Sequence, residues 1–463
     1  MIRKEILAAI SASLSVITVG IDFGWPSHAI PKLLDPTTSA VDFTNNDGPL
    51  LISTGFICGM VAFPVATYLF NKIGRKYALL LSAIPHVLGW VIIGTLYHQK
   101  LFIFIGRGCV GFGDSMVFLT LPFYLAEISS DYCRGANSSL FAIMYNIGAL
   151  ISCSVGPFLP FHVFPYVAIM FIPIFVITFL FMPETPHYYV LKEEYGVAME
   201  SLKELRRPST KAIDAEFQSI KGAVSENLSA QPSICELFSE PHNRKAFFIV
   251  CVMATLEQFS GITAILFYCQ KLFSSSEYSL LPANVSAIIF ASVFLFGAFL
   301  TTVTVDKIGR KMLALISCSG CFVCLSFLGA YFYIQVEMPT VDVRPYNWIP
   351  LALIIPYVVF AVVGLVNIPM ILMGELFHAK FKAVGSVLFG IYMSLIIMAA
   401  TKVFQYTSDE IALYVPFWIF ALNCLFGVLF SKFYMIETKN KTLANIQKEL
   451  RRGENKRKIP GLI

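Results

Sequence analysis

Runs of about twenty apolar residues recur along this chain of 463 residues, and no other feature limits its fold as strongly. At about 1.5 Å of rise per residue, each run is long enough to cross roughly 30 Å of hydrocarbon as a helix. The runs lie near 6–24, 50–70, 78–97, 101–125, 138–158, 163–181, 246–272, 283–305, 312–335, 349–373, 384–404 and 411–435. In lipid the backbone groups must be satisfied within each segment, so the spans are helices. The expected fold is an all-α membrane protein with twelve transmembrane helices in two pseudo-symmetric six-helix bundles. Composition agrees: 57% hydrophobic and 14% charged residues, with a mean hydropathy of +0.71, leave too little polar surface to clothe a soluble globule. Pro64, Pro85, Pro122, Pro173, Gly364 and Pro369 fall inside spans. They are read as kinks re-satisfied by neighbouring helices, without splitting any span.

The hexapeptide Asn71-Lys72-Ile73-Gly74-Arg75-Lys76 returns as Asp306-Lys307-Ile308-Gly309-Arg310-Lys311, each copy between two apolar runs. The chain is therefore a duplication. The expected division is an N-terminal half over 1–182, a linker over 183–245, a C-terminal half over 246–435 and a tail over 436–463. The linker has clustered charge over 192–207 and helix-like spacing of Leu202, Leu205, Ile213, Phe217 and Ile220, so it is expected to be partly helical. Basic residues of short loops stay in the cytoplasm. Arg3 and Lys4, Lys72 to Lys76, Arg134, Lys307 to Lys311, and Lys380 with Lys382 all fall on one side, which puts both termini inside. The first span is expected to stay as a membrane helix, since no small-residue cleavage site follows it. The net charge of +5 is an orientation signal, and no nucleic-acid partner is expected.

No phosphate-cradling loop, metal-ligand cluster or nucleophile with a partnered base stands out, so the chain is not expected to be an enzyme or to hold a metal or cofactor. The eleven Cys read as small packing residues. Among the Asn-x-Ser/Thr sequons only Asn284 faces outward, and it is the glycosylation candidate. Glu127 and Arg134 lie seven apart at the inner end of span four, and Glu375 and Lys382 repeat that spacing at the inner end of span ten. With Arg75, Arg310, Glu184 and Glu437 they supply matched acids and bases at the cytoplasmic mouth. Counting rise per residue places Asp22 of span one and Arg107 of span four at similar depth, where an ion pair is expected.

Several motifs in register resemble the sugar porters of the major facilitator superfamily over nearly the whole chain. They are the paired Gly-Arg-Lys loops, Gly106-Arg107 with Pro122-x-Tyr124-x-x-Glu127 and Arg134-Gly135, Pro183-Glu184-Thr185-Pro186, Gln258-x-Ser260-Gly261-Ile262, and Glu437-Thr438-Lys439-x-Lys441-Thr442-Leu443. Gly24-Trp25, Asn146-Ile147-Gly148 and Thr401-Lys402-x-Phe404 look most like insect-type facilitated trehalose transporters and their hexose-carrying relatives. The resemblance implies alternating access in the plasma membrane with a small sugar as substrate; the lipid bilayer is the other expected partner, and a functional monomer is expected. It implies that Arg75, Glu127, Arg134, Glu184, Arg310, Glu375, Lys382 and Glu437 form an inner gate, where Lys382 replaces the family's usual Arg and loses bidentate geometry. Gln258 is the leading sugar ligand, with Glu257, Thr263, Phe267, Tyr268, Asn367 and Met370 around it. Glu257 stands where relatives commonly have Gln, and Ala142, Thr263, Phe294, Met393 and Ser394 replace other polar ligands, so the cavity is more apolar than a glucose facilitator's. Asp22 stands where proton-coupled porters have an acid, so Asp22 and Arg107 are candidates for proton coupling or for a static pair. Facilitated uniport of trehalose or a hexose is the leading expectation. The alternatives are a proton-coupled sugar symporter, a non-transporting sugar sensor and a carrier of a different small solute.

Overall fold

The computed structural model describes residues 4–130, 133–206, 210–228, 234–274, 281–338, 340–377, 379–439, 441, 445–446 and 448–450. Among the described residues every regular element is a helix. Eleven segments are long and apolar enough to cross a membrane, and the shorter apolar helix Phe164–Leu180 brings the spans to twelve. The end of the tail motif, Thr442-Leu443, lies outside the described residues, as does the side chain of Arg134.

The first span consists of α1 (Lys4–Ser13) and α2 (Ser15–Leu34). It runs well past residue 24, through Pro26 and Pro31. At the join, Ser15 Oγ donates to the carbonyl of Ala12 at 2.6 Å, a local bond that competes with the helical ladder. Helix α3 (Asp47–Ile73) carries Pro64 without a break. The third span divides into α4 (Arg75–Leu81) and α5 (Ala83–Thr95). Its break precedes Pro85, which has no N–H to give the carbonyl of residue 81. Helices α6 (Lys100–Ile128) and α8 (Phe164–Leu180) absorb Pro122 and Pro173, and α7 (Arg134–Val155) lies between them. Three short helices follow, α9 (Pro186–Leu191), α10 (Tyr195–Leu205) and α11 (Thr210–Leu228). They bury Val190, Ala198, Leu202, Ile213, Phe217, Ile220 and Val224 in one apolar cluster.

After α12 (Ile234–Ser239), the seventh span consists of α13 (Pro241–Gln258) and α14 (Ile262–Phe267), followed by α15 (Cys269–Ser274). Helices α16 (Ala283–Ile308) and α17 (Arg310–Glu337) flank the second Gly-Arg-Lys turn. The tenth span is α18 (Ile349–Phe360), a π-helical turn at Ala361–Val366, and α19 (Ile368–Leu376). Expecting no split there is corrected: the wider turn holds Gly364 and precedes Pro369, whose ring clashes with an ordinary i−4 carbonyl. Helices α20 (Lys382–Tyr406) and α21 (Tyr414–Phe433) complete the bundle.

Contacts divide the chain into two compact units. One holds Met1–Leu228, Thr263–Ala298 and Ile397–Lys402, and the other holds the remaining stretches Ser229–Ile262, Phe299–Ile396 and Val403–Ile463. The first unit packs through glycines, because association in lipid depends on close backbone approach rather than on hydrophobic exclusion. A Cβ on Gly148 of α7 would lie 2.1 Å from the carbonyl oxygen of Ile17 on α2, and one on Gly111 of α6 would lie 2.3 Å from that of Gly55 on α3. In the second unit, a Cβ on Gly427 of α21 would lie 2.7 Å from Cys318 Sγ on α17. The eleven cysteines are unbridged, and most are buried.

Gly148→Ala must push α7 off α2, and overpacking of this kind costs roughly 1–3 kcal/mol. In a thermal-shift assay on detergent-purified protein it is expected to lower the melting temperature by several degrees. Gly196→Ala, where a Cβ meets nothing within 4 Å, is expected to leave it unchanged or slightly higher.

Candidate functional site

Each Gly-Arg-Lys turn is built around a carboxylate. Gly74 and Gly309 have φ of 101° and 97°, a region that favours glycine. A side chain at either place would also strike an acid, with a Cβ 2.1 Å from Glu184 Oε2 at Gly74 and 2.7 Å from Glu437 Oε2 at Gly309. Glu184 accepts from the backbone N–H of Lys76 at 2.9 Å and of Thr185 at 2.8 Å. Glu437 accepts from the N–H of Arg310, Lys311, Thr438 and Lys439 at 3.0, 3.1, 3.0 and 3.0 Å. These acids cap the first-turn donors that α4 and α17 leave unpaired, a role that the reading of acids matched to basic side chains had not included.

The arginines reach different acids. Arg75 donates to Glu127 Oε1 from Nε at 3.2 Å and Nη2 at 3.0 Å, and to the carbonyl of Phe70 at 3.3 Å. Arg310 donates to Glu375 Oε1 at 2.8 Å and to the carbonyl of Val305 at 3.3 Å. Phe70 and Val305 lie five residues before their arginines, so the duplication extends to single hydrogen bonds. Thr185 Oγ1 donates to Glu127 Oε2 at 2.6 Å, tying the cap to the ion pair. Each of these pairs joins helices of one unit. Lys382 opens α20 half-buried, and its neighbour Lys380 pairs with Glu236. Sequence reasoning missed Arg206, which joins Glu5 at 2.9 Å, Glu216 at 2.7 Å and the carbonyl of Ile128 at 2.8 Å.

A second group of charges lies inside the membrane segments of the first unit. Arg107 pairs with Asp22, beside the Trp25 ring, whose centroid lies 6.0 Å from the guanidinium carbon. Seven residues on, on the same face of α6, Asp114 meets Asp22, and its Oδ1 lies 3.0 Å from His86 Nε2 on α5. Sequence reasoning found the first pair and missed Asp114 and His86. The available signal was the rarity of an acid and a histidine in apolar spans.

The proposed sugar ligands fall into two groups. In the second unit α13 ends at Gln258, whose Nε2 donates to Glu257 Oε1 at 2.9 Å. Glu257 Oε2 and Gln258 Oε1 are buried without a protein partner. The helix breaks at Gly261, where φ is 87°, and Tyr357 donates to the freed carbonyl of Ser260 at 2.8 Å. Asn367 is committed to the fold: its amide donates to the carbonyl of Val362 at 2.9 Å across the π turn and to Thr301 Oγ1 at 3.4 Å. Met370 is 40% exposed. In the first unit Thr263 is half-buried, and Phe267 and Tyr268 are buried. Phe267 belongs to a ring cluster around Phe23, whose centroid lies 5.8 Å from Phe56, 5.9 Å from Phe118, 5.4 Å from Tyr145 and 5.7 Å from Phe267. Four of these five rings were invisible as a set in the sequence. Asn284 opens α16 half-buried, with Oδ1 accepting from the N–H of Val285 at 3.0 Å.

Twelve spans, a duplicated turn and buried intramembrane polar groups fit a secondary carrier of the major facilitator type. The solved xylose symporter XylE, described as a proton:xylose symporter bound to 6-bromo-6-deoxy-D-glucose, is similar in fold: the TM-score is 0.78 at 19% identity, over 96% of this chain and 99% of that one. The family model described as "Sugar (and other) transporter" matches residues 9–450, and the chain belongs to that family of carriers, not to the enzymes. It is similar to the facilitated trehalose transporter Tret1 of Bombyx mori, 30% identical over 98% of this chain and 88% of the relative. It is also similar to Tret1 of Apis mellifera ligustica, 29% identical over 96% of this chain and 88% of the relative.

The two caps respond oppositely to pH. Burial pushes the Glu184 carboxyl from 4.5 up to about 7, against the pull of the Thr185 and Lys76 N–H groups and of Arg75, with Glu127 adding to the rise. Burial also opposes ionisation of Glu437, but four backbone donors outweigh it and hold the acid below 4.5. A raised folded value contributes stability that is full below 4.5 and lost as pH rises through about 7, and a lowered one contributes stability lost as pH falls below 4.5. Glu184→Gln is therefore expected to flatten the loss of melting temperature between pH 5 and pH 7.5 (about the limits of the linkage). Glu437→Gln is expected to leave that window unchanged and to lower stability at every neutral pH.

Proposed function

We propose that this chain carries trehalose or a hexose across the plasma membrane by facilitated uniport, with alternating access and no chemical step on the cargo. The observation that carries this reading is the pair of buried, unpartnered oxygens on Glu257 and Gln258. A buried acceptor without a donor costs about 1–3 kcal/mol, and a sugar hydroxyl is the donor that would satisfy it. The rings around Phe23 supply apolar faces of the kind that pack on a sugar. The names of the trehalose-transporting relatives support the same substrate class. In this reading Thr263, Phe267, Tyr268 and Met370 are the further cargo contacts, and both termini and the Gly-Arg-Lys turns face the cytoplasm. The functional unit is a monomer with halves over 1–182 and 246–435, and Asn284 is the outward glycosylation candidate.

The gate in this account is the set Arg75, Glu127, Arg134, Glu184, Arg310, Glu375, Lys382 and Glu437, which tightens when the carrier faces outward. The second-half latch is the weaker one, because Lys382 is a point charge where an arginine fork would bind two oxygens. Lys382→Arg is expected to shift the population outward, read by cysteine accessibility. An unchanged population contradicts this part of the reading.

Radiolabelled trehalose and glucose uptake in oocytes tests the function. Saturable uptake of at least one sugar is expected, with Gln258→Ala lowering it by about tenfold, the equivalent of one hydrogen bond. Binding without flux would make the chain a sensor, and neither binding nor flux would mean a different cargo. The Asp22–Arg107 pair favours a second reading, proton-coupled symport. In that case sugar addition alkalinises the medium, and Asp22→Asn abolishes the effect.

A further inference from the structure

We propose that Asp114 and His86 form a binding site for one proton inside the membrane bundle, and that this proton leaves Asp22 ionised against Arg107. Arg107, Asp22, Asp114 and His86 are 2%, 1%, 5% and 2% exposed. Their hydrogen bonds fix how many protons they hold. His86 Nδ1 lies 2.8 Å from the carbonyl oxygen of Ser82, which can only accept, so Nδ1 carries a hydrogen. His86 Nε2 therefore faces Asp114 Oδ1 at 3.0 Å either as an acceptor toward a carboxylic acid or as the donor of an imidazolium. Both cases need one proton beyond a neutral imidazole and two ionised aspartates. Asp114 also faces Asp22, so the same proton, without bridging the two acids, removes a like-charge contact between them.

One arrangement leaves no like-charge contact: Asp114 as the acid, His86 neutral, and Asp22 ionised on Arg107. Its net charge is zero. Loss of the proton leaves one uncompensated negative charge among groups shut away from water, which is strongly unfavourable. Among the described residues no other charged side chain from the packed elements meets the group. The charges of α3 are at its ends, Asp47 and Lys72, and it presents Gly55 to the guanidinium of Arg107 and Cys58 to Gly108. Helix α8 has no charged residue, and the one charge of α7 is Arg134 at its start. Around Arg107 and Asp22, Arg107 Nε and Asp22 Oδ1 have no partner, so this pair has spare capacity to rearrange while the Asp114–His86 pair is closed. The four groups then act as one coupled titration, and the proton resides at the end away from the guanidinium.

The inference does not depend on the identity of the cargo, and its first test is spectroscopic. Infrared difference spectra of the purified full-length chain, wild type minus variant, are expected to show the carbonyl stretch of a protonated carboxyl in the Asp114→Asn difference. That band is expected to be missing from the Asp22→Asn difference and shifted in the His86→Gln difference. The proposal is overturned if the band survives Asp114→Asn, or if Asp22→Asn removes it instead. The second test is the pH profile of sugar uptake, each variant scaled to its own maximum. Wild type is expected to lose uptake severalfold on the alkaline side, and Asp114→Asn to give a flat profile. Identical profiles overturn the proposal, whereas absence of uptake in wild type refutes the sugar reading and leaves the infrared result to decide this one.

Discussion

Both halves of this carrier hang a helix start on a carboxylate that bonds to backbone. Glu184 and Glu437 take the N–H groups at the starts of α4 and α17, and glycine at 74 and 309 gives them room and the required left-handed backbone. From those starts Arg75 and Arg310 reach Glu127 and Glu375. The end of each bundle is thereby closed by bonds whose donors and acceptors are almost all internal. Such a lattice suits a body that must move without losing its shape, and deeper in the hydrocarbon no water is available to replace a broken bond.

The same scarcity of water governs the interior. Arg107, Asp22, Asp114 and His86 are tolerated because each answers another, and the breaks at residue 82, at 259–261 and at 361–366 are tolerated because side chains take the freed backbone groups. Tyr357 holds the carbonyl of Ser260, and Asn367 holds that of Val362. Glu257 Oε2 and Gln258 Oε1 are among the buried polar atoms left open. Under the proposed function, two acceptors left open side by side next to a helix break are where a hydroxylated cargo gains most.

Much of this was legible before the structure. Apolar run length gave the spans, the Gly-Arg-Lys repeat gave the duplication, and depth counting along helices put Asp22 beside Arg107. What escaped has a common cause. The role of Glu184 and Glu437 depends on backbone N–H groups, which every residue has and no motif displays. His86 and Asp114 lie on different helices, and the rings around Phe23 come from α2, α3, α6, α7 and α14, so only packing brings them together. The break before Pro85 and the π turn before Pro369 were misread as simple kinks because periodicity cannot tell a bent helix from an interrupted one. Asn367 looked like a ligand because its type suits one, yet the π turn claims its amide.

The central claim is that this chain cycles a sugar site between two faces, and counterflow tests it most directly. Proteoliposomes containing the full-length chain, preloaded with unlabelled trehalose or glucose, are assayed for entry of a trace of the same labelled sugar. The account predicts a transient overshoot of label above equilibrium, since an occupied site returns and exchanges while the unlabelled sugar lasts. Entry that rises only to equilibrium, at a rate indifferent to the preload and linear in concentration, would contradict it.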